Sequence, residues 1–221
     1  MIDNVLHERI IANKDWVTLV FIFCFILIVA TRTTFENRFS EFIRLFVSDK
    51  YIKIYRDNSN LMSWFSIFLF IAHILSFSFF IHYLFSYFEY SQMNDWIVYI
   101  QIVTFLTFFI LSKFLIEKII ATSFNTEEFV EQFNFIKVSY RTYMGLLLLP
   151  ISLILYYNNP AEPFYIYLIV GVLILSNIIV YLKSVKIFQN LFIGKLFYFI
   201  LYLCALEIAP YYFMYYWFIR S

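Results

Sequence analysis

The sequence predicts an all-α protein: a polytopic transmembrane helix bundle of about six spans, with interfacial amphipathic helices on the cytoplasmic side. Three observations lead there. Of 221 residues, 63% are hydrophobic and only 14% charged, with a mean hydropathy of +0.78, whereas soluble domains carry roughly 25% charged residues. Apolar runs recur along the whole chain at lengths suited to roughly 30 Å of hydrocarbon. The Lys and Arg residues collect in alternate connections between those runs. Together these exclude a soluble domain, which needs more charged surface, and a disordered chain, which needs less hydrophobicity. A net charge of +1 argues against a nucleic-acid partner. The bilayer is the first partner the composition implies.

In chain order the expected spans are residues 16–31, 61–88, 96–115, 138–157, 164–182 and 196–219, within a single integral membrane domain covering 1–221. The first run follows Arg9 and Lys14 and has the outline of a signal peptide. No small-x-small site precedes Thr31-Arg32, so an uncleaved span is expected. Trp16, Trp64, Trp96 and Trp217 all fall near span ends, where the amphipathic indole prefers the interface.

Thirteen basic residues, from Arg32 to Arg56, Lys113 to Arg141 and Lys183 to Lys195, lie on one side of this arrangement. The other side holds Arg9, Lys14 and Arg220, with Glu89, Asp95 and Glu162 in its short connections. The positive-inside rule then directs the three longer connections to the cytoplasm and both termini to the periplasm. Tyrosines including Tyr87, Tyr90, Tyr156, Tyr157 and Tyr165 crowd the outer interface as an aromatic belt.

Two connecting stretches are amphipathic. Phe35, Phe39, Phe42, Ile43 and Phe46 recur at helical spacing opposite Glu36, Arg38, Glu41 and Arg44. Such a helix lies along the inner membrane surface and seals the bundle; a sharper reading makes Phe39, Phe42, Arg44 and Phe46 a docking face for a partner or anionic lipid. Before the fourth span, Asn125 and Glu128 have the N-cap and N3 arrangement of a helix start, and Phe129, Phe133, Ile136 and Tyr140 form its apolar face. With only 3 Gly beside 30 Phe and 19 Tyr, helix packing is expected to rely on interlocking large side chains instead of Gly-x-x-x-Gly crossings.

Ionisable groups at membrane depth are costly, and each is a functional candidate. Glu207 is the strongest, twelve residues into the last span, with Pro210 placing a kink beside it and Cys204 on the same helical face. His73 lies at a similar depth in the second span, so a His73 to Glu207 pairing is possible. His82, Gln101 and Asn177 are further polar groups able to bridge helices. His73 and His82 are nine residues apart, unlike the i, i+4 pair of a helical metal site, and no metal or other cofactor is expected. Neither a catalytic constellation nor a disulfide framework is evident.

The runs Arg141-Thr142-Tyr143-Met144-Gly145-Leu146-Leu147-Leu148-Leu149-Pro150 and Tyr202-Leu203-Cys204-Ala205-Leu206-Glu207-Ile208-Ala209-Pro210 resemble those of a family of small multi-pass inner-membrane proteins of Bacteroidota known only as a domain of unknown function. The resemblance implies a Gram-negative inner membrane and no established activity, and it puts Glu207 and Pro210 in a C-terminal motif. The expected role is a non-enzymatic subunit or assembly factor of a larger cell-envelope complex, of secretion or motility type, with membrane-protein partners or further copies of itself. A small proton-coupled transporter or channel using Glu207 is the alternative, and a membrane-embedded lipid-modifying enzyme the third.

Overall fold

A computed structural model describes residues 15–46, 48, 50–55, 63–123, 127–158, 164–180 and 182. The described residues are helical and turn structure throughout. They form α1 (Asp15–Thr34), α2 (Glu36–Ile43), α3 (Lys50–Tyr55), α4 (Trp64–Tyr87), α5 (Trp96–Ser123) and α6 (Glu127–Asn158), followed by α7, the shorter apolar helix Phe164–Val180. A 3-10 turn, Arg44–Phe46, extends α2.

Four helices, α1, α4, α5 and α6, are long and apolar enough to cross a membrane. They cover the first four expected spans, and α7 falls within the fifth. The sixth, 196–219, lies outside the described residues, and with it Cys204, Glu207, Pro210 and Trp217.

The connection expected over residues 116–137 is instead helical on both sides. The helix α5 runs on to Ser123, and α6 begins at Glu127 and continues into the span without a break. The reason lies in phase: Phe133, Ile136 and Tyr140, all buried, continue the same inward stripe that Leu148 and Leu155 occupy deeper in α6. The separate amphipathic element is thus the first three turns of α6.

The helix α4 is the central element, with α6, α1 and α5 packed around it. Its burial is the most complete of the long helices, as expected of an apolar helix surrounded by others. Three apolar clusters stack along it. One joins Phe65 and Leu69 of α4 to Phe133, Phe135 and Ile136 of α6, covered by Phe39, Phe42, Leu45 and Tyr51. A second joins Val17, Phe21 and Cys24 of α1 to Phe79 and Tyr99. The third joins Phe80 and Tyr83 to Leu148, Leu155 and Ile166.

Both α2 and α3 fold over one end of the bundle as a cap. Arg38 holds it there: its Nη1 donates to Ser63 Oγ at 3.0 Å, and its guanidinium lies 4.6 Å from the Phe65 ring and 4.9 Å from the Tyr55 ring, both cation–π distances. Ser63 in turn caps α4, accepting from the Ser66 amide. Every described Lys and Arg lies at this capped end, whereas Glu89 and Asp95 occupy the opposite one. There α4 closes with Glu89 at φ 63° and the Tyr90 amide reaching the Phe85 carbonyl at 2.9 Å, the left-handed C-terminal turn usually given to glycine.

Candidate functional site

The polar side chains buried at membrane depth gather where α4 meets its neighbours. His73 and Ser76, one turn apart on α4, are both buried and face Gly145 of α6. Ser76 Oγ donates to the Gly145 carbonyl at 3.0 Å. A Cβ at Gly145 would overlap the His73 imidazole, coming 2.8 Å from Cγ and closer still to Nδ1. Hydrogen in place of a side chain is therefore what lets α6 lie against the histidine. Large side chains dominate packing elsewhere, but at this crossing a glycine does the work that was not expected of one.

The ring has little room to retreat, being stacked on Phe77 at 5.8 Å and near Phe70 at 6.5 Å. Its Nδ1 has no hydrogen-bond partner among the described residues. Five residues beyond Gly145, Pro150 has no amide hydrogen to offer the Leu146 carbonyl. The α6 ladder is thus interrupted one residue past the carbonyl that Ser76 engages. The polar contact, the glycine and the proline form one junction about 14 Å from Trp64 along α4, at 1.5 Å per residue.

His82 lies two turns further on, in an aromatic nest. Trp16, at 6.0 Å, and Tyr99, at 6.2 Å, approach its ring edge-on, and its Nε2 is 3.4 Å from the Met93 carbonyl, to which the Nε2–H tautomer donates. Tyr99 donates to the Leu75 carbonyl at 3.3 Å. His82 thus ties α4 to the turn before α5, with α1 laid against both by Trp16.

The other expected positions fall elsewhere. Gln101 is exposed on α5 and turns away from the bundle. Asn177 bridges nothing among the described residues: its Nδ2 donates to Leu173 one turn back in α7, at 2.8 Å. Phe39 and Phe42 are buried against α4 and α6, so the chain itself covers the aromatic side of the expected docking face. Ile43 and Arg44 remain exposed; the side chain of Phe46 is outside the description. Pairing of His73 with Glu207 likewise lies outside the described residues.

A third polar group was missed from the sequence. Between α4, α5 and α6 at the capped end is a cavity of about 330 Å³, lined by Lys113, Glu117, Lys137 and Arg141 above Phe70, Ile110 and Phe114. Lys137 Nζ lies 3.6 Å from Glu117 Oε1, both side chains being largely buried. Glu117 and Lys137 fall between the expected third and fourth spans, and the extension of α5 to Ser123 and of α6 back to Glu127 brings them together. The available signal was phase: Lys113 and Glu117 are i, i+4 on one helix and Lys137 and Arg141 are i, i+4 on the next. No group of three or more potential metal ligands occurs among the described residues.

Four membrane-length apolar helices around a buried polar junction define a polytopic helical membrane protein. The model of one family, described as Domain of unknown function (DUF4271), matches residues 17–218, and the chain belongs to that family. Neither the curated proteins nor the solved structures contain a match to it. The Gly145-to-Pro150 run that carried the resemblance is the stretch of α6 that packs on His73.

Proposed function

We propose that the chain is a non-enzymatic subunit or assembly factor of a larger complex in a bacterial inner membrane. The observation that carries this reading is the outward surface of α5, of whose most apolar window only 17% is buried. Gln101, Thr104, Phe105 and Phe108 lie exposed along it. Polar side chains on an outward face within a span favour another helix that can hydrogen-bond them over lipid that cannot. The concentration of Lys and Arg at the α2 end supports placing that end in the cytoplasm and both termini in the periplasm. Isolation from native membranes in mild detergent tests the role. Discrete companions in fixed stoichiometry are expected; a chain that runs alone argues against it. A reporter fused at Ser221 is expected to be periplasmic, and a cytoplasmic reporter would mean a different number of spans.

Proton-coupled transport is the second reading, favoured by a buried, mid-span His73 whose Nδ1 has no partner among the described residues. Glu207→Gln separates the two. An amide cannot release a proton at accessible pH, so it abolishes a transport function while leaving assembly intact. A subunit whose Glu207 serves only as a hydrogen-bonding clamp keeps both assembly and activity with Gln and weakens with Leu.

A further inference from the structure

We infer that the cavity between α4, α5 and α6 is an aqueous vestibule through which water and protons reach His73 from the capped end, with the Phe70 ring as its gate. The inference concerns access to the buried histidine alone; it supplies a route for the transport reading but does not rest on it.

Position is the first argument. Phe70 lines the cavity, and its ring lies 6.5 Å from that of His73, one turn on along α4. Arg141 lines the same cavity, and Gly145, which lies against His73, is one turn further along α6. On either helix, then, a single turn of about 5 Å leads from the cavity lining to the histidine. His73 is also the first polar side chain of α4 beyond Phe70.

Polarity is the second. Ser66, Glu117, Asn134, Lys137 and Arg141 border this space, and ionised groups inside a membrane protein face one another or water. Glu117 is 3% exposed, and its Oε1 accepts no hydrogen bond among the described residues. Lys137 Nζ stands 3.6 Å away, beyond hydrogen-bond length, a separation at which a shared water supplies the missing bond. The cavity volume of about 330 Å³ has room for on the order of ten waters at about 30 Å³ each.

The gate follows from where Phe70 sits. It is half-buried, with the His73 ring on one side and open volume on the other. A swing of the ring into that volume puts water against the imidazole. With the ring in place, Phe70, Phe77 and Gly145 cover it. The proton passes from a water to an imidazole nitrogen lone pair and returns the same way, so no further reactant is consumed. The charged groups facing this route are Lys137 and Arg141 of α6 and Lys113 and Glu117 of α5; α4 itself carries no Asp, Glu, Lys or Arg.

The test places single cysteines in the full-length Cys24→Ala/Cys204→Ala chain, in native membrane vesicles opened on both faces. It measures their rate of reaction with 2-sulfonatoethyl methanethiosulfonate, a charged reagent that needs a thiolate and hence a hydrated thiol. Ile110→Cys, on the cavity wall, is expected to react in an otherwise unchanged chain, and His73→Cys to react slowly. Adding Phe70→Ala is expected to speed the reaction at His73→Cys roughly tenfold or more, because the volume of the ring then joins the cavity. Phe70→Leu, a smaller truncation, gives the same reading if the Ala variant misfolds. Ile110→Trp, which fills the cavity, is expected to slow the reaction at His73→Cys. An unreactive Ile110→Cys means a dry cavity and overturns the inference. So does a His73→Cys that stays inert with either Phe70 variant, or whose rate is the same with and without the Phe70 and Ile110 changes. These readings are independent of transport: a Glu207→Gln chain that keeps all its activity removes the transport reading and leaves the vestibule standing.

Discussion

At Gly145 the absence of one methyl group decides how closely α6 approaches α4. Adding it, as Gly145→Ala, forces the flanked His73 ring to move and is expected to cost about 1–3 kcal/mol, the usual range for overpacking. His73→Ala alone leaves a cavity. If the contact is as described, the double variant recovers a large part of the Gly145→Ala loss in a thermal-unfolding cycle, whereas additive losses would mean that the two residues do not touch. Tyr51 offers a second residue-scale test, in the cap outside the spans. Burial raises its phenol above the ordinary 10.0, against the lowering effect of Arg38 and of hydrogen bonds from Arg38 and Ser139. A raised folded value means that the stability contributed by neutral Tyr51 is complete below pH 10 and is lost as pH rises through that raised value. Alkaline titration of unfolding is expected to show a steeper loss above pH 10 in the wild type than in Tyr51→Phe; identical slopes would contradict the buried, neutral assignment.

Among the elements, α2 was the most legible in the sequence and α5 to α6 the least. The alternation of Phe39 and Phe42 with charged residues announced a helix with one apolar side, and the structure places that side against Phe65 and Phe133. What covers it was not legible, because an apolar stripe looks the same whether it meets lipid or the chain's own helices. Single cysteines settle the element's orientation: those at Ile43 and Arg44 are expected to react with a water-soluble thiol reagent, and those at Phe39 and Phe42 to react only after unfolding. Uniform reactivity would make the stretch a solvated loop. Arg38→Ala removes the Ser63 bond and both ring contacts, and is expected to increase reactivity at Phe39 and Phe42 without unfolding α4. The boundary between α5 and α6 was misjudged because hydropathy falls where helices leave the hydrocarbon, although the helical ladder does not stop there. Glu117 and Lys137 therefore fall outside the expected spans, and the cavity they line is not legible from the pattern.

For the molecule as a whole, composition and the length of the apolar runs were enough to show the membrane class and the four long helices α1, α4, α5 and α6, because both follow from the energetics of hydrocarbon. Which helices touch was not legible: α4 lies at the centre by virtue of packing that no hydropathy profile records, and the close approach of Gly145 to His73 leaves no mark on such a profile either. The central claim is that this bundle works through contacts of its outward α5 face with other membrane proteins. Photo-reactive side chains introduced singly at Gln101, Ile102, Phe105 and Phe108 in native membranes test it most directly. The expected result is one discrete higher-mass protein adduct from the exposed positions 101, 105 and 108, and none from buried Ile102. Illumination that leaves the chain at its own mass from all four positions, or that yields the same adduct from Ile102 as from Phe108, would contradict it.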